Sequence, residues 1–242
     1  MKSKTFVLEV WGEFACFSRP EMKVERFSYP LPPPSAVRGM YDAIYSKPQE
    51  FRWQPEKVEV LSEPSYIALR RNEVKDKISV RAVERWARGE GQPVPIWADG
   101  DSDFLGTDQK GRTQRQTMAL RNVRYRLHAS MLPWPGFEGH VPALEAQFGR
   151  RAASGKCFYQ PYLGCREFAA YFEPRGPGEG QAPTDWSAEL GLMLYDVFDL
   201  SRPGKPDDAA SISLFRAKVD RGVMTVPSYS EASVIKLPAG GL

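Results

Sequence analysis

This chain is poor in the residues that hold metals and make covalent staples. Its 242 residues include three cysteines and two histidines. Cys16, Cys157 and Cys165 are odd in number, no C-x-x-C occurs, and His128 and His140 stand apart. That argues against a structural zinc site and a disulfide framework, and favours the reduced thiols of a cytoplasmic protein. Long apolar runs are also missing. No stretch approaches the ~20 residues of a membrane-spanning helix. The N-terminal MKSKTFVLEVWGEF is interrupted by Glu9 and Glu13, so it reads as a first strand and not as a signal peptide. Nor is there a P-loop, a dinucleotide fingerprint or a metal motif, which leaves a small-molecule enzyme with little support and predicts no cofactor and no bound metal.

A more local absence is that of negative charge. Between Gln109 and His128 there is no Asp or Glu, while Lys110, Arg112, Arg115, Arg121, Arg124 and Arg126 are all cationic. Net charge is only +3, so the distribution carries the information. Arginine suits bidentate contact with phosphate. The run therefore points to a nucleic-acid surface, with an ordinary solvated face as the alternative.

What is abundant is turn chemistry. The 21 prolines and 20 glycines predict short elements and many turns, not a helical bundle. Residues 32–48, PPPSAVRGMYDAIYSKP, are a short helix bracketed by proline. Ser35 is the expected N-cap, and Val37, Met40, Tyr41 and Ile44 form an apolar stripe at helical period. Tyr45 falls on the flank of that stripe near Arg38 and Lys47. It is either a core phenol or the hydroxyl of an active site.

Residues 5–17 alternate as a strand, with Gly12 a possible bulge, and 19–29 read as a polar loop. Short strands are expected at 57–61, 65–69 and 78–83. Residues 89–111, with Trp97 and Phe104, form an irregular insertion. Residues 121–131 form a strand with Val123, Tyr125 and Leu127 inward, so Arg124, Arg126 and His128 share its other face. A second helix covers 141–154, buried through Leu144, Phe148 and Ala152 and closed by Gly155. Arg150 and Arg151 leave its other side. Residues 160–172 read as a strand pair or a strand with a glycine bend, and 173–183 as a linker. An apolar stretch at 190–198, a hairpin about residues 220–222 and a fraying tail at 237–242 complete the chain. The order fits an α+β protein: a ferredoxin-like or RRM-like N-terminal domain with an insertion (1–173), a linker (174–184) and a small antiparallel β C-terminal domain (185–242).

Five stretches, WGEFACFSRPEMKVERFSY, PPPSAVRGMYDAIYSKP, RRNEV, RTQRQTMALRNVRY and QPYLGCREFAAYF, occur in the order found in one family. The chain resembles the fifth CRISPR-associated protein family of the RAMP superfamily, in its subtype I-C form. The resemblance implies a metal-independent endoribonuclease that cuts precursor CRISPR RNA in the repeat. It also implies that the protein stays on the 5′ handle as a subunit of the Cascade surveillance complex, with backbone and large subunits and target DNA as its further partners. The family's tyrosine matches Tyr45. Its usual lysine–histidine pair is unmatched: the nearby histidine is His140, which follows Gly139.

Without a metal, RNA can be cut by its own 2′-hydroxyl, leaving a 2′,3′-cyclic phosphate and a 5′-hydroxyl. A proton must leave the 2′ oxygen, charge on phosphorus must be stabilised, and the 5′ oxygen must be protonated. The expected roles are acid–base transfer for His140, orientation of the 2′-hydroxyl for Tyr45, and charge stabilisation for Lys47, Lys156 or the Arg150–Arg151 pair. Arg38, Lys47, Arg115, Arg121, Arg124, Arg126, Arg150 and Arg151 are the expected RNA contacts. The competing readings are a holder of the 5′ handle without chemistry and a general RRM-like nucleic-acid-binding protein.

Overall fold

A computed structural model describes residues 2–22, 24–75, 77–96, 112–176, 178–205 and 208–237. Trp97, Phe104 and Lys110, and the tail beyond Leu237, lie outside the described residues. Among the described residues the elements run β1 (Thr5–Ala15), β2 (Phe17–Ser18), β3 (Arg26–Tyr29), α1 (Pro34–Ile44), β4 (Phe51–Val60), β5 (Tyr66–Val74), α2 (Val80–Ala87), β6 (Arg112–Pro133), α3 (Val141–Ala153), β7 (Tyr171–Arg175), β8 (Ala188–Asp196), β9 (Ser213–Val219), β10 (Val223–Thr225) and β11 (Ile235–Lys236). The protein is α+β, mostly sheet. No described helix is long and apolar enough to cross a membrane.

The main sheet runs β10-β4-β6-β1-β7 with antiparallel neighbours along this path, while β3 joins β6 in parallel. The 22-residue β6 is its spine: one half pairs with β5, the other with β1 and β4. A second sheet, β11-β9-β8, is also antiparallel.

α1 buries the predicted stripe Val37, Met40, Tyr41 and Ile44, and α3 buries Leu144, Phe148 and Ala152. They meet β1 and β4 in an aromatic cluster. The Trp53 ring lies 4.7 Å from both Tyr41 and Phe148 and 6.0 Å from Phe6. Edge and tilted contacts of this kind add to area burial, and truncating one such ring to alanine costs about 3–5 kcal/mol.

Several expectations are corrected. Ser35 lies inside α1: Pro33 occupies the cap position without a side-chain bond, and Pro34 opens the helix with its fixed φ. The strand expected at 78–83 is instead the start of α2, because the Ser79 hydroxyl accepts from the Ala82 N–H at 3.4 Å and starts a helix there. The expected loop 19–29 ends in β3. The short strand at 57–61 is the second half of β4, which tolerates Pro55 because the register shifts between Pro55 and Lys57. Gly12 is no bulge. It keeps register opposite Val123, and a Cβ there would come within 2.5 Å of Leu163 and 2.9 Å of the Ala169 carbonyl. Residues 160–170 are mostly irregular, with one bridge between Tyr162 and Ala169.

Residues beyond 184 pack onto the first 173. β10 joins the edge of the main sheet beside β4 and not beside its hairpin neighbour β9. The apolar core is continuous from Leu8 to Val234. The expected linker is tied down as well: Thr184 N–H donates to the Val60 carbonyl at 2.9 Å, and Gln181 Nε2 to the Leu61 carbonyl at 2.7 Å.

Candidate active site

Pro48 stops α1, and the exposed carbonyls at its end find partners. Arg151 Nε donates to the Ile44 carbonyl at 2.6 Å, and the Phe158 N–H to that of Ala43 at 2.7 Å. A guanidinium at a helix C-terminus also meets the negative end of the helix dipole. Trp53 Nε1 holds the Tyr45 carbonyl at 2.9 Å, and the Tyr45 ring rests 5.9 Å from that of Phe51. Tyr45 is only 6% exposed. Its hydroxyl has no hydrogen-bond partner among the described residues.

Beyond Tyr45 the chain makes a turn from Lys47 to Phe51. Lys47 Nζ lies 2.6 Å from Glu50 Oε1, and His140 Nδ1 lies 3.0 Å from Glu50 Oε2. The Glu50 carboxylate, with the Tyr45 phenol contributing, holds the Lys47 ammonium above its ordinary pKa. Hydrogen bonds from Lys47 and then His140 hold Glu50 below the usual carboxylate range. Trp134 braces this turn by donating from its backbone to the Glu50 carbonyl and from its indole to that of Pro48. His140 sits at the N-terminus of α3 with its ring edge against Phe137. Lys47 and His140 thus meet on Glu50, which no sequence pattern pointed to, while Tyr45 stands two residues before Lys47 with its ring on Phe51. With Nδ1 donating to Glu50, Nε2 is left as the base of the imidazole.

Other expected residues do not converge there. Lys156 lies past the far end of α3 from His140, and 13 residues of helix span about 20 Å, so one site cannot use both. Arg151 is spent on the α1 terminus, and Arg150 bonds Gln147 at 2.5 Å. Arg38 is no free cation. Its guanidinium grips Asp196 of β8 through two bonds of 2.8 and 3.1 Å and Asp42 at 2.9 Å, which raises its pKa against the cost of burial.

The arginine-rich strand lacks acids in sequence but not in space. Arg124, Arg126 and His128 do share one face of β6, yet β1 and β4 set Glu9 and Glu59 beside them. Arg124 Nε donates to Glu9 at 2.7 Å and its guanidinium covers the Trp11 ring. Arg126 is 7% exposed, paired to Glu59 at 2.7 Å and bonded to the Gln181 carbonyl. Gly180 has φ +94, and a Cβ there would sit 2.5 Å from Arg126 Nη2, so only glycine lets the chain pass over it. His128 Nε2 is 3.2 Å from Glu59 but makes no well-aligned bond, and burial with Lys57 nearby lowers its pKa. Arg115 pairs with Glu73 at 2.9 Å, and exposed Arg121 reaches Ser65.

The family profile described as CRISPR-associated protein (Cas_Cas5), of the Cas5d type, matches residues 5–227. The chain belongs to the Cas5d family. A curated relative from Thermus thermophilus, named CRISPR pre-crRNA endoribonuclease Cas5d, is 35% identical over 96% of both chains. One of the same name from Mannheimia succiniciproducens is 34% identical over 92% of this chain and 94% of its own. A solved structure titled as a CRISPR-associated protein superposes with a TM-score of 0.63 at 19% identity, covering 97% of this chain and 98% of that one. That last likeness is one of fold. The Cas5d relatives span nearly the whole chain, so membership covers the α1 terminus, the Lys47–Phe51 turn and α3 together.

Proposed function

We propose that this protein is a metal-independent endoribonuclease that cuts precursor CRISPR RNA in the repeat and stays on the 5′ handle as a subunit of a type I-C Cascade complex. The observation that carries the reading is the juxtaposition of Lys47, Glu50 and His140 just past Tyr45 at the end of α1, in a chain whose Cas5d relatives are named for this activity. The strand order β4-β6-β1-β7, with α1 and α3 as crossovers, supports a ferredoxin-like, RRM-like unit carrying a small β sheet.

In the reaction the 2′ oxygen attacks phosphorus, the bond from phosphorus to the 5′ oxygen breaks, and a 2′,3′-cyclic phosphate forms. Tyr45 orients the 2′-hydroxyl. His140 moves the proton, accepting it from the 2′ oxygen or giving one to the departing 5′ oxygen. Lys47 stabilises charge on the phosphorane. Exposed Arg121 and Arg150 and the half-exposed Arg115 and Arg124 contact phosphates along the strand. Arg38, Arg126 and Arg151 hold the fold.

The test is a labelled repeat RNA incubated with purified protein in EDTA under single-turnover conditions. The expected result is one cut with a cyclic phosphate end, lost when the 2′-hydroxyl at the cut is replaced by hydrogen. A cut that needs magnesium overturns the mechanism. Tight binding without any cut favours the second reading, a holder of the 5′ handle, for which the near-complete burial of Tyr45 and the unmatched lysine–histidine pair speak.

A further inference from the structure

Arg52 of β4 stands apart from its charged neighbours. Around it lies a crevice of about 130 Å³, lined among others by Arg38, Asp42, Trp134, Asp199 and Arg202. The acids of this crevice are already matched. Asp42 and nearby Asp196 are held by Arg38, while Arg202 meets Asp199 at 3.5 Å and Asp208 at 2.9 Å. Arg52 makes no ion pair among the described residues. Its Nη1 donates to the neutral Gln54 side chain at 2.8 Å, and its Nε is buried with no partner at all. The face of the guanidinium lies 5.8 Å from the Tyr229 ring. Burial, with Arg38 close by, pulls its pKa down.

A half-buried, permanently charged group with no counter-ion and a buried, unpartnered Nε is costly to the free protein. Apolar packing would serve the fold better at this position. The guanidinium fork matches a phosphate, and the crevice has room for one. Trp134 ties the crevice to the candidate active site, because it lines the one and braces the Lys47–Phe51 turn of the other.

We propose that Arg52 is the counter-ion of an RNA backbone phosphate, in a subsite one step along the strand from the scissile bond. This rests on the nuclease reading for the identity of the strand, though not on cleavage itself.

The probe is a repeat RNA carrying a 2′-deoxy nucleotide at the cut site, so that binding is read without chemistry. Arg52→Met should weaken its binding about tenfold at low salt. The slope of log affinity against log salt should become shallower by about 0.7, the value for one phosphate on a single strand. The melting temperature of free Arg52→Met should equal or exceed that of the wild type, because a half-buried charge without a counter-ion has been removed. A purely structural arginine gives the opposite melting result, and unchanged affinity and slope equally overturn the subsite. If Arg52→Met does not fold, the wild type decides: the Arg52 Nε–H resonance should shift when the deoxy RNA is added, and a resonance that stays in place overturns the proposal. RNA bound through Arg52 but never cut in its all-ribose form would remove only the nuclease reading. Wild-type affinity and cutting in Arg52→Met would remove only the subsite.

Discussion

Glu50 Oε2 lies 3.0 Å from His140 Nδ1, although 90 residues separate the two in sequence. The other oxygen of the same carboxylate holds Lys47 at 2.6 Å. One acidic side chain therefore sets the spacing between a proton carrier and a cation, and it fixes which imidazole nitrogen is available. Glu50→Gln keeps the shape and removes the charge. Single-turnover cleavage of repeat RNA should fall about tenfold or more, since positioned acid–base groups contribute roughly 10²–10⁴ in rate. An unchanged rate would show that His140 acts without this partner.

Tyr45→Phe separates the two readings of the phenol. The ring stays on Phe51, and the hydroxyl lost makes no bond to the described protein. The melting temperature should shift by no more than the equivalent of about 0.5 kcal/mol, while cleavage is abolished and RNA binding stays within a few-fold. Full activity in this variant would leave Tyr45 as a core residue only.

The Arg38–Asp196 pair is the main polar tie from α1 to β8. Asp196 is 1% exposed, and its Oδ1 also accepts from the N–H groups of Val197 and Phe198. Asp196→Ala should therefore cost about 3–5 kcal/mol, as breaking a buried pair does. For a chain of this size about 2–4 °C is lost per kcal/mol, so thermal melting should drop by roughly 6–20 °C. Replacing both partners, as Arg38→Met with Asp196→Leu, should recover most of that loss. A single variant that melts like the wild type would show the clamp to be idle.

How legible this was depended on whether the signal was local. The α1 stripe and the α3 face were readable because helical period needs only neighbours in sequence. So was the inward face of β6 at Val123, Tyr125 and Leu127. Pro55 hid the first half of β4, since a proline argues against a strand unless a register shift accommodates it, and that shift is visible only with β6 alongside. The basic face of β6 misled for the same reason: Glu9 and Glu59 sit beside its arginines only once β1 and β4 have paired. Glu50 and Arg52 carried no signal at all. Their roles come from what α3, Trp134 and the 196–204 segment bring to them.

That hidden pairing has a pH signature. His128 has a pKa below its ordinary value in the folded state, through burial and then Lys57. As pH falls below about 6.5, the unfolded chain takes up a proton that the folded one refuses, so stability is lost there. For Glu9 and Glu59 burial raises the pKa, but hydrogen bonds and charge from Arg124 and Arg175 at Glu9, and from Lys57 and Arg126 at Glu59, outweigh it and leave both lowered. Their contribution is fully present above about 4.5 and is lost as pH drops through the folded values. Melting temperature against pH should thus be level above neutrality, decline gently below about 6.5 and fall steeply below about 4.5. His128→Gln should erase the gentle decline and keep the steep one. Glu9→Gln should melt lower at pH 7, with Arg124 left without its carboxylate and Arg175 keeping only Glu173, and show a shallower acid limb. A curve for His128→Gln that parallels the wild type between pH 6.5 and 5 would mean that this imidazole takes up its proton as readily in the folded sheet as in the open chain.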